Sequence, residues 1–301
     1  MSNTAPTHEE WDPKTYWVAP ARNFRFSARL HLQHTLFQST LGHLLAPQIQ
    51  AAVADSAHLK VADLGCGNGV WLSDLDRELS SRGITAQLNG YDLNAANFPA
   101  APFRPASMTL KTLDVLASSL PAEHLGAYDI VHARVFVSSI PNSDPTAFLS
   151  AARALLKPGG WLQWEESRAD RHVVEAPPPD VGKSACETIT GILKAGAEAR
   201  GFRFEALLDG LGDHLERGGF GDVRVGARDT CMRDWKAWTE NYLMVWEELA
   251  SAFPPREVAP QAPMSREQWV QLFAGAVKEA EDGVVVHQGS ITYVVGRKAL
   301  G

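Results

Sequence analysis

Asp63-Leu64-Gly65-Cys66-Gly67-Asn68-Gly69 joins a short apolar run, Leu59 to Ala62, to an amphipathic stretch, Val70 to Ser81, which is closed by Gly83. A strand that ends at glycines and reopens as a helix is the entry to a strand–helix–strand unit, because glycine permits the tight turn and lets backbone approach a ligand. Outward from this junction the alternation continues. TAQLNGYDL (85–93) reads as a second strand, MTLKTLDVL (108–116) contains a third, and YDIVHARVF (128–136) is a β-branched, apolar fourth. PTAFLSAARALLKPGG (145–160) reads as a helix ending at Pro158-Gly159-Gly160, and WLQWEES (161–167) as a fifth strand. Strands alternating with helices across short turns predict an α/β fold, a mostly parallel sheet covered by helices on both faces.

Towards the amino terminus, Leu30, Leu32, Leu36, Phe37, Leu41, Leu44 and Leu45 recur at three- and four-residue steps, so residues 26–54 read as helical. Residues 1–20 read as an arm interrupted by Pro6, Pro13 and Pro20, and residues 1–54 together as arm and cap helices. The core unit spans 55–175. Beyond it lie the proline-rich connector APPPDVG (176–182), a helix over 184–201 and another over 204–220 ending at Gly218-Gly219. DVRVGARDT (222–230) and GSITYVVGRKA (289–299) read as sixth and seventh strands, and 176–301 as the remainder of the sheet. The interval between them far exceeds a hairpin turn, so residues 232–286 are expected to form an inserted helical cap. Its aromatic residues, among them Trp235, Trp238, Tyr242, Trp246 and Trp269, suit either the lid of an apolar pocket or internal packing and a homodimer contact.

Composition narrows the function. The 301 residues are 45% hydrophobic and 21% charged with a net charge of −7, and the basic residues are scattered, which argues against nucleic acid as partner. No run approaches the ~18 apolar residues of a membrane span, and the polar, acidic start is unlike a secretion signal. Cys66, Cys186 and Cys231 lack metal-type spacing and read as reduced thiols. The expectation is a cytoplasmic protein, with nuclear residence left open, no metal, no membrane and a small-molecule substrate.

The glycine spacing is G-x-G-x-G, with Val70 where a nicotinamide dinucleotide site usually has its third glycine. The acid two residues before the first glycine, Asp63, suits a cationic ligand without a pyrophosphate. Asp92, at the end of the second strand, is placed to accept from both hydroxyls of a ribose. Asp114 is placed to accept from an adenine amino group, with Val115 or Leu116 against the ring. Each of these acids also suits a turn or a helix cap.

VADLGCGNG (61–69), NGYDLN (89–94), LKTLDVL (110–116), YDIVHAR (128–134) and LLKPGGWLQWEE (155–166) resemble the class I S-adenosylmethionine-dependent methyltransferases. RLHLQH (29–34), the HAR of 132–134 and VVGRKA (294–299) are similar to the fungal methyltransferases of secondary-metabolite pathways, although GCGNG replaces the GTGTG common among close relatives. The resemblance implies a Rossmann-like, seven-stranded fold and S-adenosylmethionine as cofactor, leaving S-adenosylhomocysteine as product. It implies cofactor contacts at Asp63, Gly65, Gly67, Asn68, Asp92, Leu93, Asp114, Val115 and His132, with Tyr16 or Arg29 meeting the cofactor carboxylate.

Methyl transfer is a displacement at an activated donor, so alignment, desolvation and sometimes a base suffice. Residues at the end of the fourth strand (His132, Arg134, Phe136 and Ser138) are best placed for the acceptor. His132 reads either as a base or as a hydrogen-bonded wall of the cofactor site. Arg134 reads as orienting an acid or tying down the first helix, from which Gln33 and His34 reach over the cofactor. Glu165 and Glu166 either face the acceptor or end the strand in solvent. The expected activity is O-methylation of a small hydrophobic metabolite. A non-methylating reaction at bound S-adenosylmethionine and a regulatory binding protein are the alternatives.

Overall fold

The computed structural model describes residues 23–168, 170–177 and 181–300. Its central sheet has seven strands: β1 (His58–Leu64), β2 (Thr85–Asp92), β3 (Met108–Thr112), β4 (Tyr128–Arg134), β5 (Leu156–Ser167), β7 (Phe220–Asp229) and β9 (Ser290–Lys298), in the order β3-β2-β1-β4-β5-β9-β7. The first five are parallel, and β9 runs antiparallel between β5 and β7. This is the Rossmann-like, mostly parallel sheet expected from the strand–helix alternation. The order reverses between β1 and β4, which opens a crevice at their carboxyl ends, where open α/β sheets bind ligands.

Side chains alternate across the sheet. On one face Val61 and Ile130 pack under α1 (Phe24–Leu41), α2 (Pro47–Ala52) and α3 (Val70–Ser81); on the other Ala62, Leu64, Val131, Leu162 and Trp164 meet α4 (Thr146–Leu155), α6 (Phe204–Asp209) and α7 (Leu211–Arg217). Register places Asp63 beside His132, His132 beside Gln163, and Arg134 beside Glu165, so these polar residues share the first face.

Several boundaries differ from the sequence pattern. The helical pattern over 26–54 is two helices: Gly42, at φ +76°, ends α1 and Pro47 opens α2. The fourth strand stops at Arg134, because Val135 turns to φ +52°. The helix before the fifth strand stops at Leu155; Pro158-Gly159-Gly160 lies within β5, with an irregular register against β4. The pattern over 204–220 divides at Gly210 into α6 and α7. A second, two-stranded sheet of β6 (Val173–Glu175) and β8 (Val285–His287) has too few residues to show a period.

Between β7 and β8 lie α8 (Trp235–Glu248) and α9 (Arg266–Glu281). Trp238, Trp246 and Trp269 are fully buried there; the Trp269 indole donates to the Trp246 carbonyl at 2.8 Å and stacks on Phe253. α5 (Ser184–Ala199) packs on α9. Cys66 and Cys186 are buried and Cys231 exposed, none paired. Among the described residues no helix is long and apolar enough to cross a membrane, and no acid, histidine and cysteine cluster could hold a metal. Ser265 caps α9 through a reciprocal pair with Gln268. Ser265→Ala should lower stability by about 1 kcal/mol in urea unfolding.

Candidate active site

The glycine loop is built as its sequence demands. Gly65, Gly67 and Gly69 all have positive φ, at +72°, +56° and +75°. The amides of Gly65 and Cys66 both donate to the Tyr91 carbonyl at the end of β2. Asp92 closes the arrangement: one carboxylate oxygen accepts from the Gly67 amide at 2.9 Å and the other from Asn94 at 3.0 Å. A Cβ on Gly65 would stand 3.1 Å from the Phe136 ring, and one on Gly67 would stand 2.8 Å from Leu30, so close packing against these side chains leaves no room for a larger residue at either position.

That cavity is continuous, about 900 Å³, and runs from the loop to the aromatic face of α8. Asp63, Gly65, Gly67, Asn68, Asp92 and Leu93 line it, and so do Asp114, Val115 and Leu116. Asn68 contributes mainly by tethering, its amide donating to the Ser27 carbonyl of α1 at 3.2 Å. Asp114 is exposed and accepts from the Leu116 amide at 2.9 Å, while Val115 is buried. Tyr16 lies outside the described residues.

The floor of the crevice is a ladder of buried charge. His132 is 1% exposed; its Nδ1 shares a 2.7 Å hydrogen bond with Asp63 and its Nε2 lies 3.6 Å from Glu165. Its ring stacks on Trp71 of α3, with centroids 3.7 Å apart. Burial opposes protonation, but the Asp63 and Glu165 carboxylates outweigh it and raise the imidazole above its ordinary value. Glu165, fully buried, is pushed up by burial and pulled further down by Arg134 and His132, to about 2. Arg134 donates from Nε to Glu165 at 2.7 Å and from Nη1 to His34 at 2.9 Å, and lies over the Phe37 ring. His34 meets Asp74 through its Nε2 at 2.9 Å. Because its Nδ1 accepts from an arginine, its Nε2 carries the proton, and burial and Arg134 lower its pKa to about 4.

These contacts revise the catalytic expectations. His132 is held between two carboxylates, with its Nδ1 engaged by Asp63. His34 has both nitrogens committed. Arg134 ties α1 to the sheet, as one of its two readings had it. Glu165 and Glu166 neither face the acceptor nor end in solvent. Glu166, on the opposite sheet face, accepts through one oxygen from the Phe136 and Val137 amides at 2.6 and 2.8 Å and from the Trp164 indole at 2.6 Å. Burial raises its carboxyl to about 8. It therefore holds the turn in which Val135, a β-branched residue, adopts an unfavourable positive φ. Arg29 lines the cavity but forms a two-pronged ion pair with Glu248 at 2.9 and 3.3 Å, so its guanidinium is engaged before any cofactor carboxylate arrives. Gln33, Phe136 and Ser138 line the cavity as expected.

The sequence pattern did not single out Trp71, Asp74, Gln163, His172, Asn241 or Glu248. Asn241 carried a readable signal: it falls three residues after Trp238 and four before Val245, a polar residue within the apolar stripe of α8.

Among known proteins, a family model described as a methyltransferase domain matches residues 34–204. The chain is 33% identical over 163 residues to the methyltransferase grgD of a Penicillium species, a match covering 52% of this chain and 54% of that protein. It is 35% identical over 142 residues to the N-methyltransferase tcpN of Claviceps purpurea, covering 46% and 47%. It is 32% identical over 117 residues to the ubiquinone biosynthesis O-methyltransferase of Leptothrix cholodnii, covering 38% and 46%. The chain thus spans about half the length of the curated relatives it matches.

The two adjacent glutamates should respond oppositely to neutralisation. Glu165→Gln leaves His132 and Arg134 without their carboxylate and should cost about 3 kcal/mol in urea unfolding, whereas Glu166→Gln keeps the accepting carbonyl and should cost under about 1 kcal/mol. Stability contributed by Glu165 is present above the ordinary carboxyl value of 4.5 and is lost as pH falls from there towards about 2. The protonated Glu166 favours the fold below 4.5 and loses that contribution as pH rises through about 8. Stability measured against pH should therefore lose its acid limb in the first variant and its alkaline decline in the second.

Proposed function

The chain belongs to the methyltransferase-domain family, and from that premise we propose that it binds S-adenosylmethionine over the 65–69 loop and transfers its methyl group to a small, predominantly apolar molecule. One observation carries the reading. The loop end of the cavity is lined by Asp63, Asp92 and Asp114, whereas the cationic Arg29 and Arg134 beside them are already paired with Glu248 and Glu165. A dinucleotide would bring a pyrophosphate to this end and find carboxylates; an adenosyl sulfonium brings a positive charge and a ribose diol.

The residues fit that ligand. Asp92 keeps an accepting lone pair on each oxygen beyond its bonds to Gly67 and Asn94, enough for two ribose hydroxyls. Val115 and Leu116 supply an apolar wall for the adenine, with Asp114 near its amino group. Asp63 presents a carboxylate towards the methionine end while His132 holds it in place. Gly65 and Gly67 line the cavity, so the ligand can lie against their backbone. The ligand itself supplies a methyl group already activated on sulfur; the protein supplies alignment and a cavity shielded from water.

The acceptor atom is a heteroatom, oxygen or nitrogen. Oxygen is the expectation from the sequence, and nitrogen is what the name of the Claviceps relative specifies. The apolar half of the cavity, with Trp238, Tyr242 and Trp246, supports a hydrophobic acceptor of the secondary-metabolite kind.

Calorimetry tests the cofactor directly. The folded protein should bind S-adenosylmethionine and S-adenosylhomocysteine and give no heat with NAD. Asp92→Ala should weaken both adenosyl ligands about 10- to 100-fold, the worth of a charge-assisted pair of hydrogen bonds. Folded protein that binds neither ligand would overturn the proposal.

A further inference from the structure

The far half of the cavity carries polar atoms that the cofactor reading leaves unused. Trp238, Asn241 and Trp246 of α8 and His172, in the segment after β5, all line it. In each, one polar atom is enclosed and has no hydrogen-bond partner among the described residues: the indole nitrogens of Trp238 and Trp246, Oδ1 of Asn241 and Nε2 of His172. Enclosed polar atoms are paired in the great majority of cases, because an unmade hydrogen bond costs about 1–3 kcal/mol. Four on one wall of one cavity mark a surface completed by a ligand.

Among the described residues the α8 wall itself presents no charged side chain to the cavity, whereas Lys194, Glu198 and Arg200 line it from α5 and its end. Arg168 is bound to Asp170 and Asp209, and the Tyr242 hydroxyl donates to Gln288 at 2.7 Å. His172 packs edge-on against the Tyr242 ring, centroids 4.8 Å apart. Burial lowers its pKa to about 4, against the opposing pull of Asp170, so the imidazole is neutral at pH 7. A neutral imidazole has one nitrogen free to accept, and the Asn241 carbonyl oxygen only accepts. Around them Trp238, Tyr242 and Trp246 line the cavity with aromatic rings stacked in sequence.

We propose that His172 and Asn241 are specificity-determining residues of the acceptor subsite, receiving the O–H or N–H of a neutral, flat, apolar molecule. The inference rests on the methyltransferase reading and names the chemistry of its substrate. A carboxylate or an ammonium seated against His172 and Asn241 meets only neutral groups of α8 and is held more weakly than the neutral molecule. Trp238 and Trp246 donate to whatever carbonyl or ether oxygen the same molecule presents.

The test uses 2-naphthol as probe and calorimetry on the full chain saturated with S-adenosylhomocysteine. The parent protein should bind 2-naphthol, and should bind 2-methoxynaphthalene and 2-naphthoate about 10-fold more weakly or worse. His172→Phe and Asn241→Leu should each weaken 2-naphthol about 10-fold, leave 2-methoxynaphthalene unaffected, and keep the parent's affinity for S-adenosylhomocysteine and its thermal midpoint within a few degrees. A protein that binds S-adenosylhomocysteine but does not bind 2-naphthol, prefers the carboxylate, or holds 2-naphthol equally well in both variants overturns the inference. Failure to bind S-adenosylhomocysteine instead overturns the cofactor reading beneath it. If either variant lowers the thermal midpoint further, His172→Leu and Asn241→Met, which also remove the accepting atom, take their place and should weaken 2-naphthol about 10-fold; unchanged binding in both also overturns the inference.

Discussion

A buried charge must be matched where it stands, and in this protein that requirement organises the crevice. Asp63, His132, Glu165 and Arg134 come from three adjacent parallel strands and alternate in sign within a few ångströms of one another. Each carboxylate has a basic partner beside it, so the ladder tolerates burial that any one member alone would not. It continues outward through His34 to Asp74, linking the sheet to α1 and α3. Gln163 extends it the other way, accepting from the Ala46 amide and donating to the Leu44 carbonyl just before α2. Helices that cover the glycine-loop end are thereby fixed to the strands beneath by hydrogen bonds as well as by leucines.

The ladder also decides what the cavity shows to a ligand. By engaging Arg134 it withdraws a cation from a region that would otherwise attract phosphates. Glu248 does the same to Arg29 from the opposite side. What remains towards the loop is carboxylate and backbone amide, and towards α8 aromatic surface with neutral polar atoms. The two ends of one cavity thus differ in electrostatic character because of pairings made behind the walls.

The fold was legible because its signals are local. A strand, a glycine loop with positive φ and an amphipathic helix lie within twenty-odd residues, and the same period repeats. Asp92 was legible for the same reason, as an acid where a strand ends. The partners of the candidate catalytic residues were not legible because pairing across strands is not local: nothing in the neighbourhood of His132 says that Asp63 sits at the same register on one neighbouring strand, or that Glu165 stands close by on the other. His34 was read as reaching over the cofactor, but its two partners are 40 and 100 residues distant in sequence. Boundaries failed where glycine and proline carry more than one meaning. Gly210 divides a helix that the hydrophobic pattern runs through, and Pro158-Gly159-Gly160, read as a stop, is accommodated by an irregular register in a strand.

The position of β9 has a consequence for how the molecule is made. It is an inner strand, flanked by β5 and β7, yet it follows both in the chain. During synthesis β7 has no neighbour to pair with until Ile291 to Lys298 leave the ribosome, and Trp161, Leu162 and Trp164 of β5 keep one edge open for the same interval. The sheet therefore grows by insertion and not by addition at its margin, and its exposed, hydrophobic gap is the stage at which a nascent chain of this kind most needs protection from its neighbours.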